Sequence, residues 1–418
     1  MITNAPLENV ARQAVAIAAR QHHGQLLAIL IRDLRDFQLA EDSLQDAIES
    51  ALTHWSRSGV PRTPMAWLLQ AARRKAIDRL RRAKNLQLKS AELAILMESD
   101  QDSTDEMDEG DIPDERLRLI FTCCHPALDP QTSVALSLRT LCGLTTPEIA
   151  RAFVVSEETM AQRLVRARQK IAKAGIAYEV PEKSELPGRQ QSVLNIIYLT
   201  FNEGYVVTAG PEHLRVDLCE EAIRLARMLN ALCPDEAEVM GLLALLLLTH
   251  ARRKARSSDA APYVPLDEQD RTLWDQHMIV EGDTLLLRAL KFGQAGPYQL
   301  QAAISAIHSQ ARTHAQTRWN EIILIYDRLY DLSENPVYLL NRAVAVSFLD
   351  NPNKALAELS SISDELKNYQ PYHAARADML RRAGDYATAR QAYDQAITLS
   401  QNQVEKNFLI QKRASILS

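Results

Sequence analysis

Seven cations crowd the stretch from 73 to 84: Arg73, Arg74, Lys75, Arg79, Arg81, Arg82 and Lys84 stand against one acid, Asp78. That density suits the polyphosphate backbone of a nucleic acid. Helical projection places Trp67 beside Arg74, Asp78 and Arg81, where an indole can stack on an unpaired base or simply pack against a neighbouring helix. A second set, Thr159, Gln162, Arg163, Arg166 and Lys170, is spaced to gather on one side of a helix. Amide and guanidinium groups so placed can address base edges and phosphates, although the same pattern also describes a solvated charged face. Other reactive types are less organised. Cys123, Cys124 and His125 lack the C-x-x-C spacing of a metal site and fit helix packing better. Glu203, Asp217, Glu281 and Asp283 could supply carboxylates to a site, but nothing in their spacing fixes a geometry, and caps or interdomain contacts account for them. With no P-loop and no H-E-x-x-H, no catalytic residue, cofactor or metal is assigned.

The elements needed to present these residues are helices. Thr145 and Glu148 are spaced as a capping box with Pro147 in the first turn, so 145–151 opens a short helix. Val154-Val155 interrupts it. Ser156 then caps a second helix over 157–173 whose Met160, Leu164, Ala167 and Ile171 form one apolar stripe. Helix, tight turn, helix results, with the polar set opposite the stripe, although the turn lacks the glycine often found there. Upstream, Thr63 and Pro64 start a helix over 64–84 with Ala66, Leu69, Ala76, Ile77 and Leu80 on one face. Before it, Leu44, Ala47, Ile48, Ala51, Leu52 and Trp55 form a stripe, while Asp42, Gln45, Asp46 and Glu49 line the other side. An acidic face next to a basic helix is unsuited to DNA and reads as a docking surface for a positively charged protein, or as solvated surface.

These residues carry a family resemblance. The run Leu39-Ala40-Glu41-Asp42-Ser43-Leu44-Gln45-Asp46-Ala47, then Pro64-Met65-Ala66-Trp67-Leu68-Leu69 and Ala76-Ile77-Asp78-Arg79-Leu80-Arg81-Arg82, resembles region 2 of a bacterial extracytoplasmic-function sigma factor. Residues 115–174 resemble region 4. Phe121-Thr122-Cys123-Cys124-His125-Pro126-Ala127-Leu128 and Met160-Ala161-Gln162-Arg163-Leu164-Val165-Arg166-Ala167 resemble the subgroup with a tetratricopeptide-like C-terminal extension. The resemblance implies an all-α protein that binds core RNA polymerase and promoter DNA, without enzymatic activity of its own. It implies that Asp42, Gln45, Asp46 and Glu49 meet the β′ clamp helices, with the β subunit as a further contact. Trp67, Arg73, Arg74, Asp78, Arg79, Arg81 and Arg82 would approach the −10 element, with the 56–63 loop a candidate lip for a flipped-out base. Ser156, Thr159, Gln162, Arg163, Arg166 and Lys170 would meet the −35 element.

A chain of 418 residues, 46% hydrophobic and 24% charged, has room for two or three cores. Its net charge of −5 suits a DNA binder only because positive charge is gathered in two helices. Negative charge collects at 98–111, where Glu98, Asp100, Asp102, Asp105, Glu106, Asp108, Glu109 and Asp111 occur with no lysine or arginine. Self-repulsion makes this run a tether, and a sharper reading has it compete with DNA for the 73–84 cations. The expected organisation is region 2 over 1–84, an acidic linker over 85–112, region 4 over 113–175 and a helical array over 189–418. Near the end of that array Ala343 and Ala377, Ala355 and Ala389, and Leu359 and Tyr393 are each 34 apart, and 384–396 reads like part of a tetratricopeptide unit. Arg252, Arg253, Lys254 and Arg256 make a loose basic cluster, and Phe201-Asn202-Glu203-Gly204-Tyr205 is a conspicuous motif of undetermined role. No signal peptide is read at the N-terminus and the longest apolar run, 239–248, is too short for a bilayer, so a cytoplasmic location without membrane attachment is expected. Five cysteines, odd in number, fit reduced thiols. Three function classes stand: a sigma factor whose C-terminal array modulates it and takes a regulatory protein partner, a stand-alone helix-turn-helix regulator with a tetratricopeptide-like sensor domain, and an enzyme with a DNA-binding appendage, for which no nucleophile, metal set or phosphate loop is visible.

Overall fold

The computed structural model describes residues 5–82, 112–125, 127–141, 143–153, 155–174, 176, 178, 186–206, 214–257 and 263–417. The acidic run at 98–111, Lys84 and the side chain of Arg82 lie outside the described residues. Every regular element among the described residues is helical, and the chain divides into two compact units, 1–200 and 201–418.

In the first unit, α1 (Ala5–Leu34) packs against α2 (Phe37–Ser58) and α3 (Pro64–Arg82), and also against α4 (Ile112–Cys123) and α5 (Pro130–Thr140). Its sequence explains this central place. Leu26-Leu27-Ala28-Ile29-Leu30-Ile31 is apolar on every face, each residue is at most 3% exposed, and a helix apolar all round must be covered all round. The side chain of Asp36 caps α2 by accepting from the Leu39 N–H at 3.0 Å, and Gly59, at φ 82°, ends it in a conformation that favours glycine. Along α2 the stripe Ala40, Leu44, Ala47, Ala51 and Trp55 is buried, while Leu52 is exposed at the stripe's edge. On α3 the buried stripe is Leu68, Leu69, Ala72, Ala76, Ile77 and Leu80, while Ala66 is exposed.

The helix-turn-helix forms as its caps dictate. Glu148 accepts from the Thr145 N–H at 2.7 Å and starts α6 (Thr146–Ala152). Ser156 Oγ accepts from the Thr159 N–H at 3.2 Å and starts α7 (Glu157–Ala174), whose Met160, Leu164, Ala167 and Ile171 are buried. Cys123 and Cys124 are fully enclosed where α4 meets α5, and burial pushes the Cys123 thiol up to about 12 and raises Cys124 well above the ordinary thiol value. Thiols held protonated in this way are packing groups.

Helix α8 (Leu186–Tyr205) crosses the boundary between the units. The second unit continues with α9 (Val216–Leu232), α10 (Ala237–His250), α11 (Gln276–Leu290), α12 (Pro297–Gln310), α13 (Trp319–Ser333), α14 (Pro336–Leu349), α15 (Pro352–Ser360), α16 (Gln370–Ala383), α17 (Tyr386–Leu399) and α18 (Gln403–Ala414). The leucine-rich α10 is buried from Val239 to Leu248 under α9, α11 and α12. No described helix is long and apolar enough to cross a membrane. Helices α14 and α16 start at 336 and 370, and α15 and α17 at 352 and 386, so both members of a helix pair recur after 34 residues. Ala343, Ala355, Ala377 and Ala389 are fully buried at equivalent places, where small side chains let the helices approach closely.

Candidate nucleic-acid interface

Charge on α2 and α3 is spent in three different ways. Arg73 is 9% exposed and points inward, donating to Asp33 Oδ2 of α1 at 2.9 Å through Nη2 and at 3.2 Å through Nε. It is therefore a core ion pair, and its expected place on the DNA-facing side of the helix is corrected: its register falls between Leu69 and Ile77 on the buried stripe. Arg79 grips Asp46 with Nε and Nη2, each at 3.0 Å, and Asp42 with Nη1 at 2.9 Å. The hydrogen bonds from Asp46, then the charges of both acids, raise the Arg79 pKa further. One residue expected at DNA and two expected at a protein partner are thus bound to each other, an arrangement set by helix packing that spacing along either helix does not reveal. Arg74, Asp78 and Arg81 remain exposed, as do Gln45 and Glu49 on α2.

Between α2 and α3 lies a cleft of about 820 Å3. Trp67 is half-buried at its floor, stacked on the His54 ring at 5.5 Å and edge-on to the buried Trp55 at 5.6 Å. Arg57, Arg74 and Lys75 supply cations to its walls, Asp46 and Glu49 carboxylates, and Gln70 an amide. An aromatic platform flanked by cations can hold a flat, uncharged base next to its phosphate. Reading the sequence singled out Trp67, Arg74 and Lys75 but not His54, which comes from the other helix and forms the cleft's second wall.

On α7, Thr159, Gln162, Arg166 and Lys170 face outward together, opposite the buried stripe. Ser156 is exposed too, but its hydroxyl serves the cap and lies 2.8 Å from Thr159 Oγ1. Arg163 sits apart from this face: its guanidinium lies over the Phe153 ring at 5.8 Å, and Nη1 is buried without an acceptor. The side chain folds across the turn and braces it, which departs from its expected place among the base-reading groups.

A further network, unforeseen in the sequence, joins these segments. Glu41 of α2, 8% exposed, accepts from Arg139 of α5 at 2.6 Å and from Arg168 of α7 at 2.5 Å. Arg168 also donates to Gln38 at 3.0 Å. Partners 98 to 130 residues apart leave no periodic signal.

Residues 18–86 match the Sigma-70 region 2 family and residues 118–171 match Sigma-70, region 4. The chain carries sigma-70 region 2 and region 4 domains. Region 2 thus comprises most of α1 with α2 and α3, and region 4 spans the end of α4 through most of α7. Such domains identify a non-enzymatic transcription factor that recognises promoters and imply binding to core RNA polymerase and promoter DNA. Over 387 residues the chain is 43% identical to an uncharacterized protein of Rhizobium meliloti (strain 1021), covering 92% of each chain. Residues 189–290 match a family of unknown function, DUF6596. No solved structure matches.

The carboxylates in the second unit are engaged separately. Asp217 pairs with Arg215 at 2.8 Å and Glu281 with Arg227 at 2.8 Å, while burial raises the Asp283 pKa. The basic cluster is likewise dispersed. Arg253 meets Asp275 at 3.3 Å, Arg252 lies over Trp274 at 5.9 Å, and Arg256 lies over Tyr205 at 3.6 Å. The 201–205 motif ends α8 as a packing unit, with Phe201 stacked on Tyr205 at 5.6 Å.

Proposed function

We propose that this chain is a dissociable sigma subunit of the extracytoplasmic-function type, which directs core RNA polymerase to promoters and carries its own helical regulatory array at 189–418. The observation that carries this reading is the juxtaposition, within one unit, of an outward polar face on α7 and an aromatic, cation-walled cleft between α2 and α3. A promoter offers two separated elements, one read as duplex and one as unstacked bases, and the two surfaces suit those two tasks.

In this proposal Thr159, Gln162, Arg166 and Lys170 meet the −35 duplex, Ser156 presents the helix N-terminus to a phosphate, and Arg163 holds the turn. Trp67, Arg74, Asp78, Arg81 and Arg82 serve the −10 element, with Arg73 and Arg79 fixing the helix that carries them. Asp42, Gln45, Asp46 and Glu49 form the polymerase-facing side of α2. The 34-residue recurrence of helix pairs supports a tetratricopeptide-like module at the C-terminal end, and such arrays present extended surfaces to protein partners. The purified full chain should bind core polymerase and confer start-site-specific run-off transcription. Failure to direct initiation at any promoter would leave the stand-alone regulator in its place.

A further inference from the structure

The connection between α10 and α11 gathers cations that no acid answers. Arg252 and Arg271 lie over the Trp274 ring at 5.9 and 4.9 Å, so two guanidiniums share one indole. Arg271 is pinned through Nη1, which donates to the carbonyl oxygens of His308 and Ala311, each at 2.6 Å, at the end of α12. Its Nη2 is buried without a hydrogen-bond partner among the described residues, and so are Arg252 Nε, Trp274 Nε1 and His308 Nδ1. Trp274 is 3% exposed and His308 8%, so these are enclosed groups rather than surface ones.

Other arginines of the second unit are neutralised. Arg253 pairs with Asp275, and Arg342 with both Asp327 and Glu358. The acids closest in sequence to Arg271 are committed elsewhere. Asp270 accepts from the Thr272 N–H and hydroxyl, Glu268 pairs with Lys412, and Asp275 caps α11 while it holds Arg253. Burial, then the charges of Arg252, Arg271 and His314, all of one sign, hold the His308 pKa down at about 3. The like charge of Arg252 also opposes that of Arg271, whose pKa burial already lowers.

Guanidinium and indole nitrogens only donate, so the partner they call for is an acceptor. A water molecule accepts few hydrogen bonds and neutralises nothing, whereas two partly buried cations need an opposing charge. An oxyanion supplies both, and guanidinium nitrogens meet it in short, strong hydrogen bonds. We propose that Arg252, Arg271, Trp274 and His308 form a binding site for the oxyanion group, phosphate or carboxylate, of a small molecule, with the guanidiniums and the indole N–H donating to it. The enclosure of Trp274 and His308 suits a small ligand rather than a protein surface. Arg252, the member of the 252–256 cluster that meets neither an acid nor a carbonyl, thereby acquires a role. The site belongs to the second unit and stands whether or not the first unit reads a promoter.

The test follows the indole N–H resonances of the full chain, labelled with nitrogen-15 at its four tryptophans. The chain is titrated with inorganic phosphate and, separately, with acetate, each against chloride at equal ionic strength. The Trp274 signal is assigned by its loss in W274F, which keeps an aromatic ring in place and removes the N–H donor. A saturable shift of that signal with phosphate, acetate or both, and none with chloride, is expected; the anion that produces it tells a phosphate ester site from a carboxylate site. In R252Q the midpoint concentration should rise on the order of tenfold, and R252K, which keeps the charge but lacks the planar fork, should fall between parent and R252Q. No saturable shift in the parent with either anion, or the same shift with chloride, would overturn the site whatever the variants do. An unchanged midpoint in either variant, with its cooperative melting intact, would overturn it too.

Discussion

Arg73 and Arg166 are both arginines on helices that carry DNA-facing residues, yet their environments assign them opposite tasks. Arg73 neutralises Asp33, which is 6% exposed and also bonded by Arg32 at 2.9 Å. Asp33→Ala strands the Arg73 guanidinium in the core and should lower unfolding free energy by about 3–5 kcal/mol, read by denaturant titration. Arg73→Met should cost less, because Arg32 still attends Asp33; equal losses would mean that the pair is not the structural unit described. Arg166 is exposed on α7 and pairs with no acid among the described residues. Arg166→Ala should leave stability nearly unchanged and weaken promoter binding by about 1–3 kcal/mol if the side chain makes a base contact. A drop in Tm with unaltered DNA affinity would place it with Arg73.

Among the elements, the junction of α8 and α9 shows why a motif of undetermined role exists at all. Gly204 sits where α9 begins, and a Cβ there would lie 2.8 Å from Leu218 Cβ and 2.9 Å from both the Arg215 carbonyl oxygen and the Cys219 nitrogen. The Arg215 N–H also donates to the Gly204 carbonyl at 2.7 Å, which ties the two helices. Two of the three close atoms are backbone and cannot rotate away, so Gly204→Ala should destabilise the second unit by about 1–3 kcal/mol, measured as a lowered melting transition. An unchanged transition would show that the helices can part without cost. Tyr205 adds its own anchor, since Arg256 donates to its carbonyl oxygen while covering its ring. Motif 201–205 is thus explained by close packing, which leaves no carboxylate site to account for.

At the scale of the whole molecule, buried histidines couple stability to pH. Burial, then the charge of Arg253, lowers His250 to about 4 against an opposing pull from Asp275; burial and the charges of Arg252, Arg271 and His314 lower His308 to about 3. Both are neutral when folded and regain an ordinary value near 6.5 when unfolded. The unfolded chain therefore binds more protons below pH 6.5, and the folded state loses stability as pH falls toward these depressed values. Between pH 8 and pH 5 each histidine should contribute a loss of about 2 kcal/mol. His308→Gln should flatten the fall in Tm over that interval even if it lowers Tm at pH 8; an unaltered slope would mean that His308 is protonated in the fold.

Much of the fold was legible because helices announce themselves locally. The stripe Met160, Leu164, Ala167 and Ile171, the caps at Thr145 and Ser156, and the 34-residue recurrence of Ala343 with Ala377 and Ala355 with Ala389 all follow from 3.6-residue periodicity and cap chemistry. Periodicity decides which face of a helix is apolar, and that suffices to separate Gln162, Arg166 and Lys170 from the core. It cannot decide which charge meets which. Register puts Arg73, unlike its neighbour Arg74, on the buried stripe, but only the position of Asp33 on another helix supplies the charge that lets an arginine stay there. The same holds for Arg79 with Asp42 and Asp46, for His54 against Trp67, and for Glu41 between Arg139 and Arg168. Spacing and cap chemistry determined the helices and where they begin. Tertiary structure alone decided which ionic groups are consumed in holding regions 2 and 4 together, because Coulombic pairing depends on distance in space, and contacts across 98 or 130 residues are created only when the chain folds.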